Sequence, residues 1–291
     1  MKINNKKHPV YFIAEVGQNH QGDIKVAKKL VDSLKGLPVS CIKTAKRDID
    51  TCLSEEQKNM IYDNPNSFGR TYYEHRKALE FSKDEFVEFK EYVEDAGFDF
   101  ISSYTDVNSL DFLVDIGVTG LKIASQRVTD IKLLEATSNT NLPLILSTGM
   151  SDISDVDKAI NILSNNEKYV LQCTSTYPCP ENELNLNVIP MYKERYGNKI
   201  DGVGFSGHHI GVASDIAAYL LGATIIERHY TLERTMKGTD HIGSLEKRGI
   251  EYVLSYINQV EEALGTNDKR VLESEMPALK KLRGDLKWKW E

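Results

Sequence analysis

Residues 120–148, GLKIASQRVTDIKLLEATSNTNLPLILST, contain the pattern that decides the fold. An apolar run, GLKIAS at 120–125, is followed by an amphipathic segment, Asp130 to Ser138, and then by a second apolar run, PLILST at 143–148. Mostly apolar runs of this length are typical of strands that are covered on both faces of a parallel sheet. The stretch therefore predicts a strand, a helix and a second strand.

This unit recurs along the whole chain. The eight apolar runs are VYFIAE at 10–15, PVSCIK at 38–43, FDFISS at 98–103, GLKIAS at 120–125, PLILST at 143–148, YVLQCT at 169–174, DGVGFS at 201–206 and ATIIER at 223–228. Eight such runs with connections of helical length predict an α/β fold, a (β/α)8 TIM barrel, and an open doubly wound sheet is the alternative. We assign residues 1–265 to a single barrel domain and residues 266–291 to a C-terminal tail.

Composition limits the classes of function. The 43 acidic and 36 basic residues are interspersed and give a net charge of −7, so no basic surface for nucleic acid is expected. The apolar run that starts at Val10 is interrupted by Glu15, which makes it too short for a signal peptide or a membrane span. The four cysteines form no CxxC pair, as expected for reduced structural thiols. The sequence predicts a cytoplasmic protein that binds neither nucleic acid nor membranes.

Polar side chains end every apolar run. In a barrel the carboxyl ends of the strands meet at one mouth, so residues far apart in sequence contribute to one pocket. Lys43 and Lys122 emerge directly from apolar runs, where an unpaired buried lysine is rare. Hydroxyl residues end most of the other runs: Ser102, Ser103, Ser125, Ser147, Thr148, Thr174 and Ser206. Two ammonium groups and several hydroxyls favour an anion such as a phosphate. The competing chemistry is a Schiff-base aldolase, in which Lys122 would attack a carbonyl substrate without a metal.

His208 and His229 follow the seventh and eighth runs, which are neighbouring strands of a barrel. Paired histidines at adjacent strand ends resemble metal ligands. With oxygen atoms from Glu15, substrate or water as the remaining ligands, Mn²⁺ or Mg²⁺ is favoured over structural Zn²⁺. A loop histidine taken alone is more often a hydrogen-bonding group than a ligand.

Eight motifs resemble the barrel domain of the sialic acid (N-acetylneuraminate) synthase family. They are AEVGQNHQG at 14–22, KT at 43–44, LKIAS at 121–125, LSTGM at 146–150, QCTSTYP at 172–178, FSGHH at 205–209, ERHYT at 227–231 and GTDH at 238–241. The match runs in order from about Tyr11 to Leu245. Such a set of ordered motifs is a specific signal.

The resemblance implies a transferase of carbohydrate biosynthesis. The family condenses phosphoenolpyruvate with an aldose, typically N-acetylmannosamine or a related amino sugar, to give a 3-deoxy-2-ulosonic acid and phosphate. It uses a divalent metal, which we expect to be Mn²⁺, with Mg²⁺ or Co²⁺ as alternatives. The resemblance also implies a homodimer.

The resemblance assigns catalytic roles to Glu15, Lys43 and Lys122. Glu15 would orient or deprotonate the water that attacks the intermediate. The residues expected to hold phosphoenolpyruvate are Lys43, Ser103, Lys122, Ser125, Ser147 and Ser206. His208 and His229 would bind the metal, which polarises the aldehyde oxygen of the sugar.

The acceptor side departs from the family pattern. Asp240 would face the sugar hydroxyls, and Tyr177 would line the acceptor pocket. The departures are Ala45 for a glutamine, Gln126 and Arg127 for Gly-Glu, Ser175 for an asparagine and Gly207 for an aspartate. Three of these four departures fall on positions that contact the acceptor in the family, and we expect Ser175 and Arg127 to bind it here.

Arg127 in place of a carboxylate reverses the local charge. A site with this arginine would favour a phosphate or carboxylate group, so we expect an acceptor other than plain N-acetylmannosamine. The expected acceptor is an acidic or phosphorylated aldose, or one without the N-acetyl group. The alternative is that Arg127 turns outward or pairs with an acid of its own loop.

Family members generally continue into an antifreeze-like domain that covers the partner subunit's site. This chain ends at Glu291, so we expect either a different cover, such as the polar segment Arg47 to Arg70, or a larger polypeptide of which this is one piece. A non-catalytic sugar-binding barrel is a further alternative. It would bind phosphoenolpyruvate without consuming it, and the presence of Glu15, Lys122 and His229 argues against it.

Overall fold

The computed structural model describes residues 8–284 and shows eight parallel strands in one closed barrel. The strands follow chain order, and the last closes on the first from Tyr11–Ile225 to Glu15–His229. Their bounds are β1 Tyr11–Gly17, β2 Cys41–Lys46, β3 Asp99–Tyr104, β4 Gly120–Ile123, β5 Leu144–Ser147, β6 Lys168–Cys173, β7 Gly202–Gly207 and β8 Ile225–His229. The predicted TIM barrel is confirmed, and the alternative of an open sheet is wrong.

Helices connect the strands. They are α1 Ile24–Leu34, α2 Ile49–Cys52, α3 Glu55–Asn59, α4 Tyr72–Ala78, α5 Lys83–Asp95, α6 Val107–Asp115, α7 Ile131–Ser138, α8 Ile153–Ile162, α9 Val188–Tyr196, α10 Ala213–Leu220, α11 Lys247–Leu264 and α12 Met276–Leu282. Ser82 is the N-cap of α5 and forms a capping box with Glu85, which fixes the start of this helix. Buried residues of α5, such as Phe86 and Phe89, pack edge to face on Phe100 of β3.

Along each strand, side chains point alternately into the barrel and out toward the helices. The buried cluster inside consists of Tyr11, Ile13, Cys41, Ile101, Ile145, Tyr169, Leu171 and Ile225. Because every second side chain of a strand points the same way, the residue two positions after each of these also points into the barrel. Glu15 follows Ile13, Lys43 follows Cys41, and Glu227 follows Ile225. The interior is therefore apolar in its lower layers and charged at the carboxyl ends of the strands.

Strand β8 carries a charge on its outer side as well. Arg228, which is 1% exposed, lies between Glu227 and His229. Its guanidinium donates to the carboxylate of Asp215 in α10 and to the carbonyl oxygen of His209, the latter at 2.6 Å. This buried ion pair fastens β8 to α10 and to the loop after β7.

The long segment between β2 and α5, residues 47–82, is more ordered than the polar loop that we predicted for Arg47 to Arg70. It contains α2, α3 and α4. Two of these helices begin with capping boxes, Ser54 with Gln57 and Thr71 with Glu74, which satisfy the first backbone N–H groups. Short helices therefore form here without an apolar periodicity that would reveal them.

One compact unit extends to Asn258, and a second begins at Gln259 and contains α12. Within residues 8–284, no helix combines the length and the apolar composition that crossing a membrane requires. The predicted boundary after residue 265 stays a prediction, and residues 285–291 of the predicted tail lie outside the described residues.

Candidate active site

A cavity of about 590 Å³ lies at the carboxyl ends of the strands. It brings together every residue that the sequence assigned to the site, except Arg127. These residues are Glu15, Lys43, Ser103, Lys122, Ser125, Ser147, Ser175, Tyr177, Ser206, His208, His229 and Asp240. Because they come from all eight strands or the loops after them, the closed barrel accounts for their convergence.

Two buried lysine–carboxylate pairs form the floor of the cavity. Lys43 Nζ lies 2.5 Å from Glu15 Oε2 and 3.7 Å from Glu227 Oε1. Lys122 Nζ donates to both oxygens of Glu227, at 2.8 and 2.7 Å. Each of these four residues is less than 5% exposed apart from Glu227, which is 6% exposed. Glu227 therefore bridges the two ammonium groups.

The pKa shifts of these groups follow from burial and from their neighbours. Burial lowers the pKa of Lys43, but the carboxylates of Glu15 and Glu227 outweigh burial, and the net shift is upward. Burial and the charge of Lys43 lower the pKa of Lys122 despite the opposing carboxylate of Glu227. Burial alone would raise the pKa of Glu227, but the two lysines lower it to about 2. Glu227 is thus ionised at neutral pH.

Serine hydroxyls surround the lysines. The buried Oγ of Ser147 has no hydrogen-bond partner, and Ser206 Oγ donates to Glu227 Oε1 at 3.2 Å. Ser125 Oγ accepts the backbone N–H of Gly149 at 3.0 Å. A Cβ at Gly149 would lie 2.2 Å from Ser175 Oγ, so only glycine lets the backbone approach the serines this closely. The wall therefore offers hydroxyl groups to an anion bound at the lysines.

His208 and His229 lie side by side, with 5.5 Å between their ring centroids. His208 Nδ1 donates to the carbonyl oxygen of Thr174 at 2.9 Å, which leaves Nε2 available as a ligand. Burial, together with the charge of His229, lowers the pKa of His208 to about 3, so its ring is neutral. Nδ1 of His229 is buried without a hydrogen-bond partner and lies 4.0 Å from Asp240 Oδ2. In the part of the chain that the structure describes, no three His, Cys, Asp or Glu side chains form a ready-made metal site.

Tyr177 and Asp240 frame the histidines on the side of the mouth. The ring of Tyr177 lies against His208, with 4.0 Å between centroids, and half of the tyrosine is exposed. Burial would raise the pKa of Asp240, but His229 and the nearby arginines, Arg76 and Arg47, lower it. The carboxylate is thus available to accept hydrogen bonds from a sugar.

Arg127 does not line the cavity, and the expectation that it binds the acceptor stays a prediction. It lies in a short 3₁₀ turn, Ser125–Arg127, and its NH1 pairs with Asp130 Oδ2 at 3.3 Å. Its neighbour Gln126 lines the cavity instead. The alternative interpretation, an ion pair with an acid of its own loop, is the one that the geometry supports.

Sequence reasoning missed other residues of the cavity wall. They are Gln18, Arg47, Asn66, Arg76 and Thr239. Glu227 lies at the end of the eighth apolar run, two residues before His229 on a strand of period two, but the sequence assigned no role to it. No such signal marks Asn66 and Arg76, which belong to the segment between β2 and α5.

Comparison with known proteins places the chain among enzymes of sugar-acid synthesis. The model of the NeuB family matches residues 30–269. The chain belongs to the NeuB family. Its NeuB relatives include N-acetylneuraminate-9-phosphate synthase of Mus musculus, which is 36% identical over 95% of this chain and 77% of its own length. N,N'-diacetyllegionaminic acid synthase of Legionella pneumophila is 31% identical over 92% of this chain and 76% of its own length.

A solved structure agrees with this NeuB assignment. The sialic acid synthetase of Leptospira borgpetersenii serovar Hardjo-bovis superposes with a TM-score of 0.81 at 30% identity and covers 96% of this chain and 92% of its own. The resemblance inferred from the eight motifs is therefore confirmed. The relatives are named synthases, so the chain belongs to a family of enzymes rather than of non-catalytic sugar-binding barrels.

Proposed function

We propose that this NeuB-family protein condenses phosphoenolpyruvate with an aldose to form a 3-deoxy-2-ulosonic acid and phosphate. The observation that carries the proposal is the cavity itself, which two buried lysines, the unpartnered hydroxyl group of Ser147 and two histidines line together. Phosphoenolpyruvate carries a phosphate and a carboxylate, and ammonium and hydroxyl donors match both.

In this mechanism, Lys43 and Lys122 hold phosphoenolpyruvate with C3 toward the aldehyde. A bond forms between C3 and the aldehyde carbon, the aldehyde oxygen takes up a proton, and C2 becomes cationic. Water then adds to C2, and Glu15 accepts a proton from that water. The tetrahedral intermediate collapses with cleavage of the bond between C2 and the phosphate oxygen. One phosphoenolpyruvate, one aldose and one water thus yield one ulosonic acid and one phosphate.

We include a divalent metal, Mn²⁺ first and Mg²⁺ or Co²⁺ as alternatives, in this proposal. The donors fit such an ion, because His208 keeps Nε2 free and His229 Nδ1 is buried without a partner. Two imidazoles with carboxylate or water oxygens suit Mn²⁺. When bound, the ion would polarise the aldehyde oxygen and stabilise the negative charge that develops on it.

Chelation tests the proposal. Phosphoenolpyruvate consumption, followed by its ultraviolet absorbance, should stop in EDTA and return on addition of Mn²⁺. His229→Ala should lower kcat at least about 100-fold with little change in the melting temperature, because the ring is near the surface of the cavity. The control is Arg195→Gln, a change at an exposed residue outside the cavity, which should keep full activity. Undiminished turnover in EDTA would refute the metal.

The Schiff-base aldolase is the second candidate, because burial lowers the pKa of Lys122 as a nucleophilic amine requires. The bidentate contact of Lys122 with Glu227 opposes it, since it keeps the ammonium form. Borohydride with a keto substrate would inactivate an aldolase irreversibly. The synthase should be unaffected by this treatment.

The proposal also includes a homodimer in the cytoplasm, as the sequence predicts. The four cysteines are free thiols, which agrees with a reducing compartment. Size-exclusion chromatography with light scattering would measure the mass of the assembly.

A further inference from the structure

The two histidines of the cavity are held by different parts of the fold. His229 is the last residue of β8 and pairs with Glu15 of β1, so the sheet itself holds it in place. His208 lies beyond the end of β7, whose pairing with β8 ends at Gly207 and Arg228. The backbone ladder between β7 and β8 therefore stops one residue before the two histidines, and other contacts must set their separation.

The loop after β6 holds His208 from one side. Its Nδ1 donates to the carbonyl oxygen of Thr174 at 2.9 Å, and its own carbonyl oxygen accepts the backbone N–H of Cys179 at 3.0 Å. These two bonds orient the ring, but both partners belong to the loop after β6. Neither bond connects His208 to β8, which carries His229.

The side chain of Arg228 makes the connection to β8. It points out of the barrel and is 1% exposed, and its NH2 donates to the carbonyl oxygen of His209 at 2.6 Å. NH1 donates to the carbonyl oxygen of Gly211 at 3.0 Å and to the carboxylate of Asp215. The guanidinium thus joins β8 to the residues that directly follow His208.

Asp215, near the start of α10, fixes the orientation of this guanidinium. Its carboxylate is completely buried and neutralises the charge of Arg228. The guanidinium is a rigid, planar fork, so bonds to the carboxylate and to two backbone oxygen atoms leave it a single orientation. A lysine has one nitrogen and cannot bond the same set of partners.

We propose that Arg228 is a positioning residue for the metal site and that it sets the distance between His208 and His229 by holding the loop after β7. The ring centroids of the two histidines lie 5.5 Å apart. One ion binds both rings only when their free nitrogens face a common point, so this separation determines the affinity for the ion. The inference rests on the proposed function, because it concerns the ion of that same site.

The test measures Mn²⁺ binding without substrates, from the electron paramagnetic resonance of the free ion. Arg228→Lys keeps a cation beside Asp215 but loses the fork, so the dissociation constant of Mn²⁺ should rise about 10- to 100-fold. Calorimetry should show the affinity for phosphoenolpyruvate within about threefold of wild type, because the pairing of Ser206 with Glu227 holds the floor of the cavity. A general loosening of the barrel would weaken the binding of both ligands.

Asp215→Asn is the matched control. It removes the counter-ion but leaves the bonds of Arg228 to the two loop carbonyl oxygens. The melting temperature should therefore fall, while the dissociation constant of Mn²⁺ stays within about threefold of wild type. Should Arg228→Lys fail to fold, the paired change Arg228→Met with Asp215→Leu removes both charges together and should show the same loss of Mn²⁺ affinity. Only the Mn²⁺ binding that His229→Ala abolishes is counted.

Three results would overturn the inference. They are equal dissociation constants in the wild type and the Arg228 variants, a wild type that binds no Mn²⁺, and an equal loss in Asp215→Asn and Arg228→Lys, which would follow stability rather than the contacts with the loop. The proposed function fails separately, when no aldose supports phosphoenolpyruvate consumption. Weaker Mn²⁺ binding in Arg228→Lys would then still support the positioning role.

Discussion

The floor and the rim of the cavity are built in different ways. The floor consists of inward-facing residues at strand ends, and its charges are buried and paired, as in Lys122 with Glu227. The rim consists of the segment between β2 and α5 and the loop after β8, and its Arg76 is held by neutral partners, Tyr72 and Gln18. Strand geometry fixes the floor, whereas individual hydrogen bonds hold the rim. From this contrast we expect the floor to carry the chemistry and the rim to select the sugar.

The strongest test of this contrast removes the charges of the floor. Glu227→Gln leaves two buried ammonium groups with less compensation, so the free energy of unfolding should fall by about 3–5 kcal/mol. Lys122→Met should cost a similar amount, because it leaves Glu227 with only the more distant Lys43. Both changes should lower kcat/KM about 1000-fold, since Lys122→Met removes one ammonium group of the anion site and Glu227→Gln removes the carboxylate that holds Lys122 in place. Urea denaturation and phosphoenolpyruvate consumption measure the two effects.

The double variant Lys122→Met with Glu227→Gln serves as the control. Removing both charges together should recover most of the lost stability but none of the activity. Full activity in either single variant would contradict the role of the floor.

A second test uses the junction between floor and rim. His20 follows β1 and stacks on Phe81, at the end of the long segment, with 4.1 Å between ring centroids. Burial, aided by the charge of Arg47, lowers the pKa of His20 to about 3. The unfolded chain, with a histidine pKa of about 6.5, then binds more protons than the folded chain below that pH.

This difference gives the sign of the pH dependence. Stability is fully present above pH 6.5 and falls as the pH drops toward 3, because protonation favours the unfolded state. Between pH 7 and pH 5 the loss from His20 is about 2 kcal/mol. His20→Gln should reduce the pH dependence by that amount in urea denaturation. Parallel curves for the two proteins would show that His20 does not contribute.

The smallest effect is expected at the contact within the rim. Asn66→Ala removes the hydrogen bond to the N–H of Gly238. The KM of the acceptor should rise about 3- to 10-fold, while the KM of phosphoenolpyruvate stays the same and the free energy of unfolding changes by less than about 1 kcal/mol. Asn59→Ala, whose side chain bonds only within α3, is the matched control. A shift in the KM of phosphoenolpyruvate would remove the distinction between rim and floor.

The sequence could predict the floor of the cavity because side chains along a strand alternate with a period of two residues. Eight apolar runs gave the barrel, and their ends gave residues such as Glu15, Lys43 and His229, all of which line the cavity. Glu227, two residues before His229, also lies at the end of its run, although the sequence indicated no role for it.

The rim could not be predicted in this way. Arg127 lies four residues after the end of β4, in a 3₁₀ turn, and its side chain pairs with Asp130 instead of lining the cavity. Arg76 is distant in sequence from every strand end, and only its contacts with Tyr72 and Gln18 place it in the wall. The positions of such residues depend on the fold of an irregular segment. The sequence of this segment shows helix N-caps but no apolar periodicity.

Arg228, which points out of the barrel from β8, restricts changes in the length of this strand. Glu227 and His229 serve the cavity while Arg228, between them, is bound to Asp215 and His209 outside the barrel. A deletion or insertion of one residue in β8 would move the guanidinium into the cavity and the carboxylate among the helices. A change in the length of β8 therefore disturbs both sides of the strand at once, so an insertion here must fall in the loops that flank the strand.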